Sequence, residues 1–333
     1  MPHNPTARTT THIREEQPVG EPALVLLSLG AGIQSTSLAL LAAEGALGRI
    51  DGMVFADTGW EPRAVYAHLE RLEREVLKPV GIPLHRVSSG NIRNDALNPA
   101  SRFATIPLYV KNPDGGNGML RRQCTGQYKV KPIKEKVREL LGAPYPIRIP
   151  RGVYVEQWIG ISLDEVHRAK DSDVAYMRNR HPLLEMRWTR DDCIDFLKSR
   201  GWGTTPKSAC LGCTYHSNAQ WRALRDTSPD EWADVVAFDH AIRAGNARAN
   251  AAGNPLLGEA FLHRSRVPLD QAPINRLTRA EQAVLNTTAP LWSDAEGDDG
   301  FETGCSPWSC RADNAHLEVI EHPLTQDDFD QAA

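Results

Sequence analysis

Six cysteines are the residues of this 333-residue chain whose type and spacing point most directly to chemistry. Cys210 and Cys213 form a Cys-x-x-Cys pair, and Cys305 and Cys310 form a second pair separated by four residues. Six cysteines are too few for a disulfide scaffold at this length, and residues 1–20 show no secretory signal. We therefore expect a cytoplasmic protein in which reduced, closely spaced thiols bind a metal or carry out redox chemistry.

The Cys210 pair is compatible with three kinds of site. A thioredoxin-like site would require a helix that begins at the first cysteine, whereas residues 201–209 have the composition of a loop. A zinc site would need two further ligands, and the candidates are Cys124 with His216, or Cys305 with Cys310. A cluster of four irons would accept the pair together with Cys124 as three ligands.

Cys193 differs from these cysteines because it lies within an amphipathic pattern. The pattern predicts a helix over residues 189–199, with a capping-box start at Thr189. We expect Cys193 to be a buried structural thiol without a chemical role.

A glycine-rich segment near the N-terminus is the second chemical feature. The apolar run 23–29 is typical of a buried strand, and it leads through Gly-Ala-Gly at residues 30–32 into a helical pattern at Gln34. Backbone N–H groups of such a turn, and the positive end of the helix, can hold phosphate. The segment is neither a Walker A loop nor a GxGxxG loop, since Ser35 takes the place of the third glycine. A tight strand–helix turn without a ligand is the alternative.

Asp57-Thr-Gly59 follows the next apolar run, residues 51–56. Because the carboxyl ends of parallel strands share one crevice, Asp57 would face the same ligand as the glycine-rich turn. Its carboxylate could bind a ribose hydroxyl or a nucleobase amine. The alternative is that Asp57 or Thr58 only caps the helix that follows.

Strand and helix patterns alternate three times before residue 88, which predicts a doubly wound parallel α/β sheet. We expect a long loop over residues 89–120 and short helices and loops after residue 245. Further elements are expected over residues 62–77, 83–87, 131–141, 153–161, 217–224 and 230–244. The expected organisation is a disordered N-terminus (1–21), a nucleotide-binding domain (22–205), a helical cysteine-containing region (206–290) and an acidic tail (291–333).

Charge is distributed unevenly along the chain. Residues 121–207 hold 18 basic against 11 acidic residues, whereas residues 290–333 hold one basic against 11 acidic residues. The basic middle favours an anionic ligand such as a nucleotide or a nucleic acid. No run of 18 apolar residues occurs, so we expect no contact with a membrane.

These segments occur in an order that resembles the PP-loop ATP pyrophosphatase superfamily, and in particular its phosphoadenosine phosphosulfate (PAPS) reductase-like branch. The resemblance covers about residues 23–225 and implies an adenine nucleotide alpha hydrolase-like (HUP) fold. The usual Ser-Gly-Gly-x-Asp-Ser loop corresponds to residues 30–35, where Gln34 replaces the usual Asp. Arg122-Gln-Cys124-Thr with Lys129, and Gly160-Ile161 with Glu165 and Arg168, are similar to two further segments of that branch.

The resemblance implies roles for individual residues. For ATP it implies Ser28, Gly30, Ala31, Gly32, Gln34, Ser35, Thr36, Asp57, Thr58, Gly59, Gly160 and Ile161. For catalysis it implies Cys124, Lys129 and Arg168, and for a [4Fe–4S] cluster it implies Cys124, Cys210 and Cys213 with Cys305, or alternatively Cys310, as a fourth ligand. Mg²⁺ is the expected companion of ATP, although Gln34 offers it no carboxylate.

The resemblance favours an ATP-dependent sulfurtransferase that adenylates an acceptor oxygen, releases pyrophosphate and inserts sulfur. Expected partners are tRNA or DNA as acceptor and a cysteine desulfurase or free sulfide as sulfur donor; a homodimer is allowed. The first alternative is a sulfonucleotide (PAPS or APS) reductase, against which the absence of a Glu-Cys-Gly-Leu-His motif counts. The second alternative is a zinc-stabilised nucleic-acid-binding module.

Overall fold

The computed structural model describes residues 20–101, 106–277 and 281–282, and the backbone of residues 319–320. The strands are β1 (Leu24–Ser28), β2 (Gly52–Asp57), β3 (Leu84–Ser88), β4 (Tyr109–Lys111), β5 (Asn117–Leu120), β6 (Val155–Ile159), β7 (Met177–Arg180), β8 (Glu259–Phe261) and β9 (Val319–Ile320). The α-helices are α1 (Ile33–Ala43), α2 (Arg63–Leu72), α3 (Ile92–Leu97), α4 (Lys131–Leu140), α5 (Pro182–Glu185), α6 (Arg190–Ser199), α7 (Asn218–Thr227), α8 (Pro229–Ala241) and α9 (Ala247–Ala251).

Five strands form the central sheet in the order β3-β2-β1-β6-β7, and all of them are parallel. The register places Leu26 of β1 opposite Gly52 on one side and Gln157 on the other. The strand order reverses between β1 and β6, and the crevice at such a point is where parallel α/β sheets bind ligands. The predicted parallel α/β sheet is therefore confirmed, although its edge strand β7 was not anticipated.

Helices cover both faces of this sheet and bury two apolar clusters. One cluster packs α1, α2 and α6 on β1 and β2, and the other packs α4 on β1, β2 and β6. Helix α6 begins with the predicted capping box between Thr189 and Asp192. Cys193 is buried in the first cluster, as predicted, and burial raises the pKa of its thiol to about 12.

The expectation of a continuous loop over residues 89–120 is wrong. This stretch holds α3 and the antiparallel hairpin of β4 and β5, which closes through a turn between Asn112 and Gly116. Strands β8 and β9 extend the hairpin to a four-stranded sheet, β8-β4-β5-β9. The strands are only three and four residues long and they pair with residues far away in the chain. Such strands leave no periodic pattern in the sequence.

A third apolar cluster joins α7 and α8 to the hairpin and to the loop after β2. Trp60 packs on Phe238 with ring centroids 4.7 Å apart, and Trp221 is fully buried nearby. The cysteine-containing region thus packs on the loops at the carboxyl ends of the strands. Within the described part of the chain, every helix is too short or too polar to cross a bilayer.

Candidate nucleotide and cysteine site

The glycine loop, residues 28–35, leaves β1 and turns into α1 at the crevice. Ala31 adopts a positive φ of 59° and is buried, so the loop holds a conformation that costs energy for a residue other than glycine. Gly32 caps α1, and its N–H donates to Ser35 Oγ at 3.2 Å. The hydroxyl of Ser28 is buried without a hydrogen-bond partner among the described residues.

The loop after β6 meets the glycine loop at very short range. A Cβ on Gly160 would lie 2.9 Å from the backbone nitrogen of Ser35, so only glycine fits there. Ile161 is buried beside it. The structure therefore brings Gly160 and Ile161 next to Gln34 and Ser35, two segments that lie more than 120 residues apart.

Gln34 links both loops through its side-chain amide. Its Nε2 lies 3.3 Å from Glu165 Oε2 and 3.4 Å from Ser162 Oγ, and its Oε1 accepts from Arg190 Nη1 at 3.5 Å. The amide therefore donates to an anion and accepts from a cation, which a carboxylate at this position could not do. Arg190 and Ser162 were not singled out from the sequence, because their contacts with Gln34 join residues that lie more than 120 positions apart.

Arg168 forms an ion pair with Glu165, with Nη1 and Oε1 2.5 Å apart. Both side chains of this ion pair are buried. Burial raises the pKa of Glu165, and Arg168 opposes that shift. The crevice thus holds the guanidinium of Arg168 paired with the carboxylate of Glu165, and burial makes it unfavourable to keep that carboxylate charged.

The loop after β2 is fixed by its own side chains. Asp57 Oδ1 accepts from the N–H of Gly59 at 2.7 Å and from the hydroxyl of Tyr66 at 2.8 Å. Gly59 has a φ of +71°, and a Cβ there would lie 2.9 Å from Asn91 Cα. Asp57 therefore stabilises its own turn, and one of its oxygens is already engaged. The capping alternative is wrong, because α2 begins after Pro62 without a side-chain cap.

The cysteine cavity is a pocket, partly open to solvent, at the ends of β2 and β5. Cys124, Cys210 and Cys213 all line it, together with Thr58, Trp60, Ile92, Ile106, Pro107, Arg122, Thr125, Lys129, Gly212, Thr214 and Tyr215. The structure thereby brings together the three described cysteines that the resemblance assigns to a cluster. Cys305 and Cys310 lie outside the described residues.

Local geometry positions each cysteine. Cys124 follows β5 and precedes a π-helical turn, Gly126–Val130, which places Lys129 in the cavity wall. The N–H of Cys213 donates to the carbonyl of Cys210 at 3.0 Å, which closes a tight turn. No helix begins at Cys210, in keeping with the loop predicted over residues 201–209.

His216 stands behind this turn and not in the cavity. Its Nε2 lies 3.0 Å from the carbonyl oxygen of Cys210 and its Nδ1 lies 3.3 Å from Gln220 Oε1. Burial lowers the pKa of its imidazole to about 4. Both ring nitrogens are engaged within the protein, so the zinc ligand set of Cys124 with His216 does not match this arrangement.

Glu61 collects the polar contacts of the cavity wall. Its Oε1 accepts from Thr58 Oγ1 at 3.0 Å and from the thiol of Cys210 at 3.4 Å, and it lies 3.7 Å from Lys129 Nζ. The side chains of Glu61 and Lys129 are only 2% and 8% exposed. An ion pair therefore balances charge directly beside the thiol, and Glu61 is a site residue whose pairing no sequence pattern indicated.

The three cysteines surround a volume instead of one point. Among the described residues, no group of three or more His, Cys, Asp or Glu side chains is arranged to hold a metal ion. A four-iron cluster accepts thiolates at separate iron atoms, so ligands spaced around a cavity suit it. No protein-family model matches the chain, and comparison with curated proteins finds no match.

Proposed function

We propose that this protein is an ATP-dependent sulfurtransferase that adenylates an acceptor oxygen and then inserts sulfur in place of AMP. The observation that carries the proposal is the shared cavity of Cys124, Cys210 and Cys213 beside the strand-end loops of a parallel sheet. Thr58 belongs to both parts, since it closes β2 and lies 3.3 Å from Cys210 Sγ. Nucleotide and sulfur chemistry would then take place at neighbouring positions.

The glycine loop supplies what phosphate binding requires. Its backbone and the N-terminus of α1 offer N–H donors and a partial positive charge. Arg168 would exchange its partner Glu165 for a phosphate oxygen, and a bidentate pair with phosphate is stronger than most neutral hydrogen bonds. Attack of the acceptor oxygen on the α-phosphorus releases pyrophosphate, and for that step the protein supplies position and positive charge. Mg²⁺ would accompany the phosphates.

Cys124, Cys210 and Cys213 would hold a [4Fe–4S] cluster in the cavity. When bound, such a cluster supplies the sulfur-handling chemistry that protein side chains lack. Lys129 would balance the negative charge of the thiolates, since its ammonium group lies in the same wall. A fourth cysteine, Cys305 or Cys310, remains part of the proposal.

Metal analysis after anaerobic purification tests the cluster. We expect about four irons and matching sulfide per chain, and Cys210→Ala should lose them. Cys193→Ala is the matched control, because Cys193 is buried in a separate apolar cluster and should leave the iron content unchanged. Zinc without iron or sulfide would instead support the nucleic-acid-binding module.

Pyrophosphate release separates the transferase from the reductase. A transferase should release pyrophosphate from ATP in the presence of its acceptor, whereas a sulfonucleotide reductase should bind PAPS or APS and leave ATP uncleaved. Turnover of PAPS to sulfite without pyrophosphate release from ATP would overturn the proposal in favour of that alternative.

The acceptor class follows from the basic residues near the cavity. Arg122 lines the cavity, with its guanidinium 4.8 Å from the Tyr215 ring, and the residue before it, Arg121, is exposed. Further along the chain, Lys134 pairs with Asp173 and Lys136 pairs with Glu139, so that part of the basic stretch is already neutralised. We propose that a nucleic-acid acceptor contacts Arg121 and Arg122 beside the cavity.

Salt dependence tests a nucleic-acid acceptor. Binding of tRNA or DNA through phosphates should weaken with a log–log slope of roughly −0.7 to −0.9 per phosphate contacted. Arg121→Glu should reduce both affinity and slope, whereas Lys136→Glu serves as the control and should change them little. Absence of binding at low salt, in protein with its iron intact, would indicate a small-molecule acceptor.

A further inference from the structure

The chain segment that leads into the Cys210 pair lies directly on the glycine loop. A Cβ on Gly32 would be 3.1 Å from Ser208 Cβ and 3.4 Å from the Ser208 backbone nitrogen. A Cβ on Gly30 would be 3.5 Å from Ser208 Oγ. Ser208 is buried by this contact, although it stands more than 170 residues further along the chain.

The same segment is anchored to the loop after β2 only a few residues later. The N–H of Leu211 donates to the Trp60 carbonyl at 2.9 Å, and Cys210 Sγ lies 3.3 Å from Thr58 Oγ1. Gly212 lies against the Trp60 ring so closely that a Cβ would be 2.2 Å from it. Residues 208–212 therefore bridge the two loops at which a nucleotide would bind.

The backbone conformation at position 32 does not require a glycine. Its φ of −104° and ψ of −177° are extended backbone that any residue adopts. The space that a side chain would need is taken by Ser208 instead. The requirement at position 32 is thus a close approach between the glycine loop and Ser208, and such contacts transmit small displacements because interiors are close-packed.

We infer that Ser208 is a positioning residue that couples occupancy of the glycine loop to the position of the Cys210 pair. Phosphate bound at the loop would fix Gly32, Gly32 would fix Ser208, and Ser208 would fix the cysteine turn two residues later. This inference rests on the proposed nucleotide site. By linkage, if ligand at the glycine loop orders the cysteine turn, then order in the turn raises the affinity for that ligand by the same factor.

Hydrogen–deuterium exchange of the full-length protein as purified tests this coupling. Addition of ATP should slow exchange of the amides in residues 207–213, which include the bonded N–H groups of Leu211 and Cys213. We expect a slowing of about fivefold, at the low end of typical coupling between sites. Peptides that contain β8, a strand of the second sheet, should not change.

Two variants at the contact give the matched comparison. Ser208→Gly removes the Cβ that touches Gly32, so ATP should still bind within about threefold while its effect on residues 207–213 is lost. Gly32→Ala requires Ser208 to shift by a few tenths of an ångström, so exchange in residues 207–213 should quicken without nucleotide and ATP affinity should fall. The double variant restores the space between the two positions, so it should recover the wild-type exchange in residues 207–213 and the wild-type affinity for ATP. A defect confined to position 32 would not be rescued by a change at position 208.

The outcomes separate the coupling from the proposed function. ATP that binds the wild type without slowing exchange in residues 207–213 would overturn the coupling alone. ATP that fails to bind the wild type would overturn the proposed function and the coupling with it. Failure of Ser208→Gly to rescue Gly32→Ala would show that the contact does not connect the two segments.

Discussion

The glycine loop and the cysteine cavity are adjacent, but they are stabilised in opposite ways. At the glycine loop, Gln34 joins polar groups of two loops, since it contacts Ser162, Glu165 and Arg190 within the crevice, although the Ser28 hydroxyl has no hydrogen-bond partner among the described residues. The cavity is mostly apolar, and one carboxylate, Glu61, accepts its main polar contacts. The hydroxyls of Thr125 and Thr214 are buried there without a hydrogen-bond partner among the described residues.

This difference indicates how each part should respond to change. A shared polar network can redistribute hydrogen bonds when one member is altered. A cavity with few polar groups cannot redistribute hydrogen bonds in this way. The loss of a charge or the addition of a methyl group there should therefore lower the free energy of unfolding by its full cost. The cavity should therefore be the more sensitive part, and the variants below test that ranking.

Removal of the ammonium group that pairs with Glu61 should have the largest effect. Lys129→Met leaves the carboxylate of Glu61 buried and without its ammonium partner, so the free energy of unfolding should fall by about 3 to 5 kcal/mol. Urea denaturation at neutral pH measures it. Adding Glu61→Gln removes the stranded charge and should recover most of the loss. A change below about 1 kcal/mol would contradict a stabilising role for this pair.

An added methyl group in the cavity wall should come next. Gly212→Ala places a carbon 2.2 Å from the buried Trp60 ring, and overpacking of this kind costs about 3 kcal/mol at the upper end of its usual range. Gly126→Ala is the control, since nothing lies within 4 Å of its added carbon. Thermal unfolding of both variants should show a clear loss for the first and none for the second.

A pH titration should show a smaller effect beside the glycine loop. Burial lowers the pKa of His68 from 6.5 to about 4, and its Nε2 lies 2.9 Å from Thr36 Oγ1 of α1. Between these two pKa values, His68 is therefore protonated in the unfolded chain and neutral in the folded chain. Stability should be present in full above pH 6.5 and should fall by about 2 kcal/mol from pH 6.5 to pH 5.

His68→Gln is the variant for this measurement, because it keeps a polar group near Thr36 but does not titrate. His216 and His263 have similarly lowered pKa values of about 4, so both proteins should lose stability in acid. The wild type should lose more stability than the variant, because one additional proton contributes to the slope of its free energy of unfolding against pH. Identical slopes would show that His68 is not held neutral.

The smallest effect is expected at Gln34, where the network can adjust. Gln34→Asp brings a second carboxylate near Glu165, whose pKa burial already raises, so stability should fall by about 1 kcal/mol at pH 7. The loss should shrink as pH falls, because protonation of one carboxyl removes the repulsion. Gln34→Asn, also shorter but uncharged, should show no such pH dependence in chemical denaturation.

Prediction from the sequence succeeded where the signal is local. Apolar periodicity predicted β1 to β3 and their helices, and the Thr189 capping box predicted the start of α6. The hairpin of β4 and β5 was missed because its short strand β4 also pairs with β8, about 150 residues away. The contact of Ser208 with Gly32 and the charges around Gln34 likewise depend on the folded chain, since their members are distant in sequence.

The π-helical turn at Gly126–Val130 determines the direction in which Lys129 points relative to the buried face of α4. Such a turn holds one residue more than an α-helical turn, and each residue of an α-helix rotates by about 100°. Lys129 can therefore face the cavity while Ile133 and Val137, on the helix that follows, face the sheet. Deleting one residue here would leave the amphipathic face of α4 intact but turn Lys129 away from the cavity. The extra residue therefore allows α4 to pack on the sheet while Lys129 faces the cavity.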